Sequence, residues 1–99
     1  MNRLRILKDF GKLARKERLD SDEVRLYLLL LANCRTWKHV DIEYRAIKSA
    51  LGKQFSVARL KRACRRLSGH GLIEIISPLD EITAKDFAMT YRIFPLAGR

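Results

Sequence analysis

The sequence predicts a mainly α chain with a small β-hairpin, an α+β fold in one domain. Three observations predict it. Apolar residues recur at helical spacing in four separate stretches, and two short runs late in the chain carry strand patterns. At 99 residues the chain is long enough for one hydrophobic core and too short for two. An apolar fraction of 47% and a charged fraction of 32% fit a folded chain, not a disordered one.

The first helical stretch is Arg3 to Lys16. Ile6, Leu7, Phe10, Leu13 and Ala14 share one side, with Arg5, Lys8, Asp9, Lys12 and Lys16 opposite. Gly11 inside it costs about 1 kcal/mol relative to Ala, so the helix needs a partner surface to persist. Packing or dimerisation is one use for such a helix; resting on a membrane surface is the competing one. A second helix starts at Asp20 or Ser21, where Asp22 and Glu23 suit the positive end of the helix dipole, and runs to about Cys34. Val24, Tyr27, Leu28 and Leu31 form its expected core stripe, while Leu26, Leu29 and Leu30 form another on the far side. A helix apolar on both sides must be covered on both sides.

Val40 to Ile42 reads as a short extended piece, and a third helix follows from Glu43 to Leu51 with Ala46, Ile47, Ala50 and Leu51 expected inside. Gly52 ends it, and the turn through Phe55 leads to a fourth helix opened by Ser56. The Ser56 hydroxyl can cap the first-turn N–H groups, worth about 1 kcal/mol. Val57, Leu60, Cys64 and Leu67 make the buried stripe; Arg59, Arg62 and Arg66 lie opposite, flanked by Lys61 and Arg65. Gly69 and Gly71 stop the helix, since glycine takes positive φ without a Cβ clash. Leu72 to Ile76 then reads as a strand, Ser77 to Asp86 as a loop, and Met89, Tyr91 and Ile93 alternate as a half-buried strand up to Pro95. The expected organisation is an N-terminal basic helix over 1–19, a domain over 20–95 and a tail over 96–99.

The charge balance points to a polyanionic partner. Lys plus Arg number 21 against 11 acidic residues, a formal +10. From Glu43 to Leu67 eight basic residues face one acidic residue. Charge runs are ordinarily solvated faces, but like charges at i, i+4 cost a helix a few tenths of a kcal/mol. Five cations on one short helix without an acidic partner suggest that an anion relieves them.

Two short helices joined by a Gly-containing turn make a helix-turn-helix, and the two strands after it make a wing. The order of elements from Ser21 to Phe94 resembles the winged helix-turn-helix superfamily. Ser56-x-x-x-Leu60-x-Arg62-Ala63-x-x-x-Leu67-x-x-x-Gly71-Leu72-Ile73 is similar to the recognition helix and first wing strand of bacterial regulators of the GntR and MarR kinds. The resemblance implies a three-helix core plus wing, with the Ser56–Ser68 helix in the major groove of double-stranded DNA. It implies that Ser56, Ala58, Arg59 and Arg62 approach bases, and that Arg45, Lys48, Lys53, Gln54, Lys61, Arg65 and Arg66 hold phosphates. The wing departs from the family pattern: Asp80, Glu81 and Asp86 outnumber Lys85, and carboxylates beside phosphates are repelled.

Other chemistries are poorly served. Cys34 with His39 and Cys64 with His70 are loosely spaced metal-ligand pairs, but both cysteines sit at core-facing positions. No nucleophile–base pair or phosphate-cradling glycine loop can be assembled, so neither catalysis nor a cofactor is expected. Trp37 and Tyr44 could stack on unpaired bases or pack at the core boundary. Two cysteines without a disulfide framework, no visible signal peptide and a Leu26–Ala32 run too short to span a bilayer give a cytoplasmic expectation with no membrane partner. The expected function is DNA binding, as a transcriptional regulator or a replication or phage accessory factor. A homodimer through Ile6, Phe10, Leu13 and Leu26, Leu29, Leu30 would match paired half-sites. The alternatives are a winged-helix module that docks an acidic protein, and an RNA-binding protein.

Overall fold

Local signals place most of the chain. In the computed structural model, which describes residues 2–77 and 88–95, the order is α1 (Arg3–Lys16), α2 (Ser21–Ala32), β1 (Val40–Glu43), α3 (Tyr44–Leu51), α4 (Val57–Gly69), β2 (Ile73–Ile75) and β3 (Ala88–Ile93). The described residues thus form an α+β fold of four helices and one antiparallel sheet. The acidic loop and wing tip expected between Pro78 and Asp86 lie outside them.

The helices begin where side chains satisfy the free N–H groups of a first turn. Asn2 Oδ1 accepts from the Arg5 N–H, and Ser56 Oγ accepts from the Arg59 N–H. At α2 Asp20 and Glu23 cap each other's backbone N–H reciprocally, at 2.9 and 3.2 Å. Gly52 (φ 107°) ends α3, and Gly71 (φ 70°) turns the chain from α4 into β2, so the expected use of Gly71 holds while Gly69 remains helical.

The core joins all seven elements. Ile6 and Phe10 of α1 belong to it, and the Phe10 ring stacks on Tyr27 with centroids 4.0 Å apart. Arg3 Nη2 donates to the Cys34 carbonyl at 2.6 Å, fixing the start of α1 beyond the end of α2. α2 is covered on both sides within one chain, by α1 and by α3 and α4. Its buried residues are Glu23, Leu26, Tyr27, Leu30 and Leu31, whereas Leu28 is 39% exposed and Val24 only half-buried. The expected stripe that included Leu28 is therefore rotated. The dimer seam expected from Ile6, Phe10, Leu13, Leu26, Leu29 and Leu30 is also corrected: Ile6, Phe10, Leu26 and Leu30 are buried inside their own chain, and Leu13 and Leu29 pack against the same core.

α3 departs from its expected face. Tyr44, Ile47 and Leu51 are buried at i, i+3, i+7, and Ala46 and Ala50 are exposed. Tyr44 takes the inside position because its hydroxyl donates to the Phe55 carbonyl at 2.9 Å, so its ring packs in the core rather than waiting for a base. Arg25 Nη2 donates to the Leu51 carbonyl at the other end of the helix, at 2.8 Å.

The sheet has three strands, in the order β1-β3-β2, not the two of a hairpin. Val40 to Glu43 pairs with β3 in the register Val40↔Tyr91 and Ile42↔Met89, and β2 pairs on its other side as Ile73↔Ile93. Met89, Tyr91 and Ile93 point inward, as their alternation predicts.

Candidate nucleic-acid interface

α4 is set by its apolar back. Leu60, Ala63, Cys64 and Leu67 are buried, which turns Ala58, Arg62 and Arg65 outward, all three exposed. Lys61 is half-buried on one flank. Lys53 and Gln54 are exposed in the preceding turn; on α3, Arg45 is exposed and Lys48 lies with Nζ 5.9 Å from the Tyr44 ring centre. The sequence-predicted residues thus do gather along α3, the turn and α4. Ser56 spends its hydroxyl on the cap.

On the other flank the expectation changes. The acidic first turn of α2 lies against α4 and supplies carboxylates to three of its arginines. Arg59 holds Asp22 through two hydrogen bonds, at 2.9 and 2.5 Å. A third bond runs from Arg59 Nη1 to the Gln54 carbonyl at 3.0 Å, and the guanidinium sits 5.4 Å from the Phe55 ring centre. Arg66 Nε pairs with the fully buried Glu23. Arg62 is the loosest, 3.9 Å from Asp20 with its side chain 71% exposed. The expected row of cations without an acidic partner is therefore corrected. Arg59 and Arg66 brace α2 against α4, and Arg62 keeps most of its freedom.

The electrostatics follow the geometry. Hydrogen bonding to Arg59 holds the Asp22 carboxyl below its usual range, helped by the charges of Arg59, Arg25 and Arg62 against the opposing effect of burial. The Arg59 guanidinium is raised in turn, chiefly by its bond to Asp22. Asp22 and Glu23, read in the sequence as dipole partners only, are the functional neighbours that reasoning along the chain missed.

Among the described residues no three of His, Cys, Asp and Glu converge as metal ligands. Cys34 and Cys64 are buried free thiols, and burial pushes the Cys64 thiol up to about 12. His70 Nδ1 is 3.9 Å from Glu17, and His39 Nε2 is 3.4 Å from Glu74, which also pairs with Arg92 at 2.9 Å. Trp37 remains 37% exposed. No helix among the described residues is long and apolar enough to cross a membrane. Comparison of the chain with protein-family models, with curated proteins and with solved structures finds no match.

Proposed function

We propose that the chain is a non-catalytic binder of double-stranded DNA, a regulator or replication or phage accessory factor built as a winged helix-turn-helix. The observation that carries this reading is the exposed edge of α4, with Arg62 and Arg65 directly opposite its buried back and Lys53 and Lys61 alongside. The order helix, strand, helix, helix, strand, strand and the β3-centred sheet support it, since that framework presents α4 on the surface as a groove-sized rod. Ala58 and Arg62 are the side chains nearest bases in this reading. Arg45, Lys48, Lys53, Lys61 and Arg65 contact phosphates, while Arg59 and Arg66 hold the helix in place.

Those five cations and Arg62 make six contacts, so this face alone should make log affinity fall with log salt at a slope of about −5. The test is a fluorescence-anisotropy titration of mixed-sequence duplex, single-stranded DNA and RNA with the protein and with Lys53→Glu/Arg62→Glu. Both residues are exposed, so the variant folds, and its thermal melt is recorded beside the titration because Arg62 also faces Asp20. Loss of duplex binding by the folded variant is expected; undiminished duplex binding, or a preference for RNA, overturns the reading.

A further inference from the structure

A second cationic row lies on α1, away from α4. Burial of Ile6 and Phe10 leaves Arg5, Lys8, Lys12 and Lys16 exposed on the opposite side of the helix. Their spacing of three, four and four residues sets them in one line about 16 Å long. Each neighbouring pair in that line repels, at a few tenths of a kcal/mol per pair.

The distribution of carboxylates makes this row different from α4. Asp20, Asp22 and Glu23 are given to α4, Glu17 to His70, and Glu74 to His39 and Arg92. Asp9, half-buried, lies on the same side of α1, but among the described residues neither it nor any other carboxylate forms an ion pair with Arg5, Lys8, Lys12 or Lys16, and the row keeps a net charge of +3. We infer that the outward face of α1 is a second contact for the phosphate backbone of DNA, an inference that rests on the DNA-binding reading above. Duplex DNA carries one negative charge per about 1.7 Å of axis, so a straight row of one guanidinium and three ammonium groups finds phosphates along its whole length. The Glu17–His70 contact, 3.9 Å, ties the C-cap of α1 to the C-cap of α4, so the two helices belong to one body that can present both rows.

A membrane is the weaker partner for the same charges. Binding in the lipid interface needs a free apolar face, and that of α1 is committed to the core through Ile6, Phe10, Leu13 and Ala14. Only Leu4 and Leu7 project from it, 80% and 40% exposed.

The test compares Lys8→Glu/Lys12→Glu, and the milder Lys8→Gln/Lys12→Gln, with the unaltered protein and with Lys53→Glu/Arg62→Glu on one mixed-sequence duplex over a salt series. The glutamine pair is expected to make the salt slope shallower by about 2 and to weaken binding equally for unrelated sequences. An unchanged slope and affinity overturn the inference while leaving the α4 reading intact. Weakening by the α1 variants alone, with the α4 variant binding normally, keeps the α1 contact and removes α4 as the docking helix. Vesicles rich in phosphatidylserine provide the last arm: loss of vesicle binding with duplex binding unchanged assigns α1 to membranes and overturns the inference.

Discussion

Arg59 grips Asp22 from across the fold, Nε to Oδ2 at 2.9 Å and Nη2 to Oδ1 at 2.5 Å, although the two stand 37 positions apart in the chain. Two parallel bonds between guanidinium and carboxylate fix orientation as well as distance. The side chain that sequence pattern offers to DNA bases is instead a clamp between the first turns of α2 and α4.

That clamp makes stability depend on acid in a definite direction. The folded Asp22 carboxyl titrates below its unfolded value, so its contribution is complete above the unfolded pKa and is lost as pH falls through the folded one. Urea unfolding should show Asp22→Asn less stable than the natural protein at pH 7. The gap should stay constant down to about pH 5 and close below the usual carboxylate pKa of about 3.9. A gap that widens on acidification contradicts the clamp.

Arg66 is expected to matter for folding more than for binding. Removing it leaves Glu23, which is fully buried, facing no cation. A fully buried pair broken this way costs about 3–5 kcal/mol, and because the Arg66 side chain is 45% exposed we expect about 2 kcal/mol for Arg66→Ala. Arg66→Glu should unfold the protein at ambient temperature. Chemical denaturation with circular dichroism reads both.

The polar contacts at the ends of α2 are open to the same kind of test. Tyr91 donates to the Leu30 carbonyl at 2.7 Å, in the last turn where the helix has no N–H of its own to offer. Tyr91→Phe leaves that buried oxygen without its donor and should cost about 1–2 kcal/mol. Phe10→Ala removes the ring stacked on Tyr27 and should cost about 3 kcal/mol, with one cooperative transition, because α1 shares the core of the rest.

Thiol chemistry gives a fourth check. Cys64 is buried against Met89, Sγ to Sδ at 3.7 Å, and its thiol is pushed up to about 12 by loss of hydration. Cys34 is buried too, 1% exposed. Neither should react with a disulfide reagent at pH 8 within minutes in the native protein, and both should react at once in denaturant. Rapid native labelling of Cys64 would contradict its packing.

What could be read along the chain was what neighbouring residues decide. Asp20 and Ser56 mark helix starts because each caps an N–H three residues on. The alternation of Met89, Tyr91 and Ile93 marks a strand facing the core. Distant partners left no such trace. Val40 to Glu43 becomes a strand only because β3, almost fifty residues later, hydrogen-bonds to it. In α2 the leucines at 26, 28, 29, 30 and 31 make every side look apolar, so periodicity could not separate exposed Leu28 from buried Leu30. The acidic partners of Arg59, Arg62 and Arg66 were invisible for the same reason: they belong to another helix.

The place of β3 in the sheet has a consequence for how the molecule is made. β1 and β2 both hydrogen-bond to β3 and not to each other. In chain order β1 precedes α3 and α4, and β2 follows them, so neither strand has its only sheet neighbour until residues 88–93 are present. The last strand of the chain is therefore the one that unites the other two, and losing it would leave no sheet at all.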